Sequence, residues 1–470
     1  MKPSRYEFLL GRARALATMY LNGLTRRQTT VRLSRDELWE RLYFPLPEEP
    51  TDDGTVLEHL VQAVDPGLMA SAGPRYFGFV TGGAQPIGIA ADWMATAWDQ
   101  NVGLYAQSPA MAVMEDVVAQ WVRELLGLPQ NASIGFTTGC HMANMVALAA
   151  ARNALFKQIG WNFEQYGWQA AARICVYVPE DVHVSIIGAL RILGMGDERV
   201  MRIPCDYQGR MDVDALIARM KENIGPALIV AQAGNVNTGC VDDLERIAMH
   251  ALNTKSWLHV DGAFGLWAMT SSTRSRAVRG VPLASSWATD AHKWLNVPYD
   301  CGIVAIGDSA AHRAAMSLNA AYLERSAREE RNGMDWVPES SRRARVVSLY
   351  ATIHALGREG VAKIVDRCCD LALEMADYFR EAPGAEVLNH IVLNQILVAF
   401  EPPDGRDADE WNREIVRRVQ QDGTCWVGGT VWKGRYALRI SICNWQTTER
   451  DIDLSARAIL RSAGLPMPAA

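Results

Sequence analysis

Trp257-Leu258-His259-Val260-Asp261-Gly262-Ala263 reads as an apolar strand that delivers an acid, followed by two small residues. In open α/β sheets ligands bind beyond the carboxyl ends of the strands, so Asp261 stands where a ligand would. Similar short apolar runs recur at Ile174 to Val178, Ala227 to Ala231 and Gly302 to Ile306. Longer amphipathic stretches lie between them, such as Asp212 to Ile224 and Asp242 to Leu252. Strands alternating with helices of this length predict βαβ units and a mostly parallel sheet. Runs that are apolar throughout predict burial on both faces.

On either side the character changes. The first 73 residues are polar helical material broken at Pro45, Pro47 and Pro50, and Leu9, Ala13, Leu16, Tyr20 and Leu24 fall on one helical face. Near the other end, Val347 to Tyr378 is helical, Val392 to Phe400 and Tyr436 to Cys443 read as strands, and Asn412 to Gln421 is helical between them. The expected organisation is a helical segment over 1–73, a large α/β domain over 74–345 and a small α+β domain over 346–470. The Arg-rich stretch Arg325 to Arg345 reads as a solvated, mobile face at the position of a functional loop.

Of the 470 residues, 49% are hydrophobic and 21% charged, values that exclude disordered and fibrous classes. The net charge of 47 − 53 = −6 argues against a general nucleic-acid binder. No stretch approaches the ~18–20 apolar residues of a membrane span. Ala15 to Leu21 mimics a signal peptide, but Arg26-Arg27 follow without a cleavage site, so an amphipathic helix of the mature protein is expected. The nine cysteines are scattered and form no C-x-x-C pair. Neither a metal site nor a disulfide framework is indicated, and reduced thiols in a cytoplasm are expected.

Thirty-two residues after Asp261 stands Lys293, in Asp290-Ala291-His292-Lys293-Trp294. A Lys able to form a Schiff base and an Asp able to pair with a pyridinium nitrogen are the minimum that pyridoxal phosphate requires. Gly135 to Asn144, containing Thr137-Thr138-Gly139-Cys140-His141, leads into an Ala-rich helix from Met145 to Phe156. Such a turn at a helix N-terminus offers free N–H groups to a phosphate. His183 follows the Ile174 to Val178 strand, and Asn235 lies in the polar loop after Ala231, so both face the same crevice.

These segments, in this order, resemble the group II pyridoxal-phosphate-dependent amino acid decarboxylases, which include the aromatic-L-amino-acid enzymes. The resemblance runs from about Pro74 to Ala458. It implies an α/β fold-type-I, aspartate-aminotransferase-like subunit working as a homodimer with active sites at the interface. It implies that Lys293 binds the cofactor, Asp261 pairs with its ring nitrogen, Ala263 packs on the ring and His183 stacks against it near the substrate carboxylate. By the same resemblance Gly139, Cys140 and His141 hold the phosphate, Asp290 and His292 close on it, and Asn235 meets the ring edge. Phe77, Phe79 and Thr81 fall where the family lines its substrate pocket, which implies an aromatic or apolar side chain. Asn101 to Tyr105 resembles the segment supplied by the partner subunit, and Tyr105 or His183 is a candidate proton donor.

Two departures stand out. Family members usually carry Ser or Thr where this chain has His141. Their mobile loop carries a Tyr that protonates the substrate α-carbon, and here Gly333 or a neighbour takes that place, with no Tyr from Arg328 to Trp336 and the nearest at Tyr322. Decarboxylation of an L-amino acid is the leading expectation. An oxidative decarboxylation–deamination giving an aldehyde, a transamination and a non-catalytic regulator stay open. Arg439, in Tyr436-Ala437-Leu438-Arg439-Ile440, reads either as a domain-stabilising ion pair or as a clamp for a substrate carboxylate.

Overall fold

The computed structural model describes residues 4–168, 171, 173–198, 200–223, 225–318, 330–403 and 405–466. Tyr322, Ile224 and the stretch 319–329 lie outside the described residues. Seven strands make the main sheet: β1 (Ser133–Thr137), β2 (Cys175–Pro179), β3 (Val200–Ile203), β4 (Ala227–Gln232), β5 (Trp257–Asp261), β6 (Ser286–Asp290) and β7 (Gly302–Ile306). Their order is β1-β7-β6-β5-β4-β2-β3, and β7 alone runs antiparallel to its neighbours.

The alternation of side chains along each strand divides the core in two. Val176 and Val178 of β2 pack with helices Cys140–Gln158 and Val184–Ile192, whereas Cys175 and Tyr177 face the layer of helices Pro109–Leu126, Val213–Lys221 and Leu244–Thr254. Both faces are therefore covered, which is why these strands carry apolar runs without alternation. The carboxyl ends of β4, β5 and β6 place Gln232, Asp261 and Asp290 on one edge.

A second, antiparallel sheet of order β10-β11-β9-β8 comprises β8 (Ala385–Val387), β9 (Gln395–Phe400), β10 (Gly428–Trp432) and β11 (Arg435–Ser441). It is linked to the first by Val346–Arg380, whose helical run breaks at Gly357 (φ 62°, ψ 178°), a backbone state that glycine adopts without strain. The chain around Phe77 joins this second body: Phe77 N–H donates to the Trp426 carbonyl at 2.9 Å, and Ser441 N–H donates to the Phe77 carbonyl. At the N-terminus, helix Arg5–Gly23 is capped by Ser4, and Leu9, Ala13, Leu16 and Tyr20 form its half-buried stripe.

The stretch after residue 330 corrects one expectation. Arg331, Arg342 and Arg345 are buried, not solvated. Arg342 and Arg331 share the buried carboxylate of Glu115 at 2.6 and 2.8 Å, and Arg342 also donates to the carbonyls of Val102 and Phe136. Burial opposes the charge on Glu115, but the two guanidinium groups outweigh it and hold its pKa below the ordinary carboxylate range.

Two histidines set an acid limit on stability. His312 Nε2 donates to the Trp336 carbonyl at 2.8 Å while Nδ1 meets Ser133 Oγ, and burial pushes its pKa down to about 3. Burial likewise takes His259 to about 4. Both rings stay neutral in the fold, whereas the unfolded chain protonates them below ~6.5. Between those values the unfolded state binds more protons, so stability falls as the pH drops. The free energy of unfolding by urea is expected to fall by about 2 kcal/mol per ring between pH 7 and 5. His312→Gln is expected to remove its share of that dependence.

Candidate active site

Lys293 lies just past β6 and points back at the strand that precedes it. Its Nζ is 3.1 Å from Asp290 Oδ2. Burial opposes the charge on the amine, but Asp290, then Cys140 and Asp261, raise its pKa above the ordinary lysine value. Asp290 Oδ1 also accepts the Cys140 N–H at 2.6 Å, and His292 Nε2 lies 3.5 Å away. One carboxylate thus ties the lysine to the first turn of helix Cys140–Gln158. The next two amides of that turn, of His141 and Met142, have no acceptor among the described residues. Gly139 sits beneath them, so close to Gly302 that a Cβ at 302 would lie 2.4 Å from the Gly139 carbonyl carbon.

Asp261 is 5% exposed, yet no cation pairs with it among the described residues. It accepts only the Ala263 N–H at 3.3 Å and the weak Cys140 thiol at 3.5 Å. Burial, then Asp261, pushes that thiol well above its ordinary pKa. A buried carboxylate without a cation is costly, and a protonated ring nitrogen supplies the missing partner. With an amine at one end, free helix amides at the other and this acid between, the residues fit pyridoxal phosphate.

His183 caps helix Val184–Ile192 and heads a directed chain of hydrogen bonds. Its Nδ1 accepts from the Ser185 N–H at 3.3 Å and meets Ser185 Oγ at 2.8 Å, which leaves the ring proton on Nε2. Ser185 Oγ in turn accepts from Asn144, whose carbonyl meets His259 Nε2 at 2.9 Å, and His259 Nδ1 meets Ser286 Oγ. Burial, with Lys293, Arg439 and His141 adding to it, lowers the pKa of His183 despite Asp261. The site therefore holds a neutral imidazole fixed in one tautomer.

Residues 38–401 match the pyridoxal-dependent decarboxylase conserved domain. The chain belongs to the pyridoxal-dependent decarboxylase family. It is 26% identical to the aromatic-L-amino-acid decarboxylase of Bacillus atrophaeus, over 96% of this chain and 94% of that one. Its fold matches Oryza sativa TDC, crystallised with PLP and tryptamine, with a TM-score of 0.91 at 22% identity and 99% of both chains covered. Rhodiola rosea 4-hydroxyphenylacetaldehyde synthase matches with 0.86 at 20% identity, again over 99% of both chains. The fold is thus that of fold-type-I decarboxylases, and pyridoxal phosphate is the family's cofactor.

The remaining expected residues distribute unevenly in this decarboxylase. Burial, then Lys293, lowers the His292 pKa, so this ring adds no charge near neutral pH. His141 is exposed and packs over Gly188. Ala263 is half-buried, with its carbonyl taken by the Asp290 N–H. Asn235 is buried and spends its side chain on backbone groups of its own turn and on the Asp181 carbonyl, two residues before His183. Phe77 packs into the main core, whereas Phe79 is 63% exposed. Phe79 and Val80 both have positive φ (53° and 59°), a costly state for non-glycine residues that clusters at ligand sites. It turns Phe79 onto Trp426, which stacks on Tyr76 at 4.9 Å.

Tyr105 makes no hydrogen bond, ion pair or ring contact with Lys293 among the described residues. Its N–H donates to Asn332 Oδ1, Val102 N–H donates to the Arg342 carbonyl and Met334 N–H to that of Gly103, so residues 101–105 are zipped to the stretch 332–343. Arg439 shows neither of the features of a stabilising ion pair: it is half-buried, and no carboxylate partners it among the described residues. That corrects the ion-pair expectation. Sequence reading missed Trp426 and the chain from Ser185 to Ser286, because both rest on contacts between residues distant in sequence.

Proposed function

We propose that the chain decarboxylates an L-amino acid with an aromatic or apolar side chain, using Lys293, Asp261 and His183. The observation that carries the reading is the buried carboxylate of Asp261, without a cation among the described residues, on the strand neighbouring the one that leads to Lys293. Pyridoxal phosphate, when bound, supplies an aldehyde for the lysine and a sink for the electron pair left at the substrate α-carbon. Lys293 Nζ first sheds its proton toward Asp290 Oδ2 and so becomes a nucleophile. Asp261 holds a proton on the heterocycle nitrogen. His183 offers a neutral face, held by Ser185, and Gly139, Cys140 and His141 seat the phosphate. Phe79 on its Trp426 platform, with Thr81, lines an apolar side-chain pocket.

Arg439 supports the seat of the substrate carboxylate. It has no carboxylate partner among the described residues, and its charge is felt at His183. Arg439→Leu is expected to raise KM by about 10- to 100-fold, the worth of one charged hydrogen-bonded contact, with a smaller change in kcat. Initial rates over a substrate series check this. Release of a keto acid that depends on an added amino acceptor would instead mark transamination.

A second reading has its own support: by the resemblance, Gly333 or a neighbour stands where the family carries its loop Tyr, and Gly333 is buried, with Val102 O and Arg342 Nη1 where a Cβ would go. Without prompt protonation the reaction becomes amino acid + O2 + H2O → aldehyde + CO2 + NH3 + H2O2. A panel of amino acids, scored by product mass under air and under nitrogen, separates the two: stoichiometric amine without peroxide removes the oxidative reading.

The same proposal pairs two copies of the chain with the active sites at their interface. Trp93, Met94 and Trp98 of helix Pro86–Trp98 are exposed in the single chain, and helix Arg5–Gly23 has no fully buried residue. Sedimentation at the mass of two chains is expected. Nine unpaired cysteines suit a reducing, cytoplasmic compartment.

A further inference from the structure

We propose that Ser185, Asn144, His259 and Ser286 are positioning residues: starting from the Trp257 indole, they form a one-way hydrogen-bond chain that keeps the ring proton of His183 on Nε2. The substrate carboxylate then always meets a donor at that nitrogen. The role of His183 rests on the decarboxylase reading above; what fixes its proton goes beyond that reading.

The polarity follows from the two ends. An indole N–H can only donate, and Trp257 Nε1 lies 2.8 Å from Ser286 Oγ. Ser286 Oγ has one other partner among the described residues, His259 Nδ1 at 2.9 Å, so its own proton goes there and the His259 proton sits on Nε2. That Nε2 donates to Asn144 Oδ1 at 2.9 Å, and the Asn144 amide turns its N–H toward Ser185 Oγ at 3.4 Å. The Ser185 hydroxyl is thereby left to donate to His183 Nδ1 at 2.8 Å. At this near end the Ser185 backbone N–H, which also can only donate, points at the same nitrogen at 3.3 Å. Reversing the chain would leave the Ser286 hydroxyl proton without an acceptor and set a His183 Nδ1 proton against the Ser185 N–H. Ser286, His259 and Asn144 are fully buried, so bulk water does not relieve the first of these faults.

The layout ties this polarity to the site. Trp257 and His259 lie on β5, which ends in Asp261, and Ser286 lies on β6, which ends in Asp290. Asn144 lies one turn after Cys140 in helix Cys140–Gln158, and Ser185 lies in the first turn of helix Val184–Ile192. The chain thus runs through the elements that carry Asp261, Asp290, Cys140 and His183. The layer around it is apolar, with Val146, Ala147, Val178, Val230 and Ala288, so three buried polar side chains there cost stability that hydrocarbon would not. Beyond the last link, His183 Nε2 has no acceptor among the described residues, and the ring feels the charges of Asp261, Lys293 and Arg439. A donor left over at the crevice end is what a one-way chain produces.

The test uses Ser185→Ala and Asn144→Leu, which cut the chain at two links, and Ser185→Thr, which returns a hydroxyl. Cofactor-free protein labelled with 15N-histidine shows which ring nitrogen carries the proton, and His183→Gln identifies the His183 resonances. The wild type is expected to show Nε2–H alone at neutral pH. Ser185→Ala and Asn144→Leu are expected to show both tautomers, and Ser185→Thr the single one again. Ser185→Ala trims a half-buried helix position and is expected to keep the fold, so the measurement stands even if Asn144→Leu does not fold. With pyridoxal phosphate and the best amino acid from the panel, Ser185→Ala is expected to lower kcat/KM by about 10-fold, part of the worth of one hydrogen bond to a charged group. Cofactor absorbance is expected to stay unchanged, and Ser185→Thr to restore most of the rate. An Nδ1 proton in the wild type, or a single Nε2–H tautomer in both cut variants, would overturn the chain. Two tautomers with wild-type kcat/KM would overturn its role in the reaction. No turnover of any amino acid by the wild type, with the tautomers shifting as expected, would sink the decarboxylase reading and leave the chain standing.

Discussion

Lys293→Ala is expected to abolish turnover, with kcat lowered on the order of 10⁴-fold or more, as for other covalent nucleophiles. The same variant is expected to lose the absorbance that covalently held pyridoxal gives above 400 nm, and to release the cofactor on gel filtration. The structure makes the outcome specific. Lys293 is the amine that Asp290 holds at 3.1 Å, and removing it leaves the Asp290 carboxylate with the Cys140 amide and a neutral imidazole. An uncompensated carboxylate beside the helix amides repels phosphate, so cofactor affinity falls for an electrostatic reason as well as a covalent one. Retained turnover, measured by CO2 release, would remove Lys293 from the mechanism.

Asp261→Asn is expected to lower kcat by about 10³-fold, because an amide cannot hold the ring nitrogen protonated and the electron sink weakens. Activity is expected to recover in part with a cofactor analogue whose ring nitrogen is permanently cationic. A second signature needs no substrate. Asp261 Oδ1 is the acceptor for the Cys140 thiol and, after burial, the largest contributor to its raised pKa. Neutralising it is therefore expected to let Cys140 react with a small alkylating agent at lower pH than in the wild type. Unchanged kcat in this variant would argue against the pairing of Asp261 with the heterocycle.

The large sheet was legible where burial on both faces wrote itself into the chain. β2, β4, β5 and β7 are apolar nearly throughout, and each was readable to within a residue or two. β6, Ser-Trp-Ala-Thr-Asp, was not, because its polar side chains meet partners distant in sequence: Ser286 bonds Trp257 and His259. The same reason hides the charge cluster of Glu115, Arg331 and Arg342, whose acid lies more than 200 residues before either arginine. From sequence those arginines look solvated. Asp261 and His183 stood out as candidates because one ends an apolar strand and the other follows the turn after one, and Lys293 because it stands beside Asp290 and His292 thirty-two residues after Asp261.

Gly333 bears on any attempt to refit this enzyme. A Cβ at that position would lie 2.2 Å from Arg342 and 2.3 Å from the Val102 carbonyl. The colliding guanidinium is also one of the two that neutralise Glu115. Installing a tyrosine there would displace Arg342 and leave the buried carboxylate with one of its two cations, Arg331, which destabilises the fold. A larger residue at 333 therefore cannot be accommodated on its own, and enlarging this corner would require exchanging 101–105 and 332–343 together as one cassette.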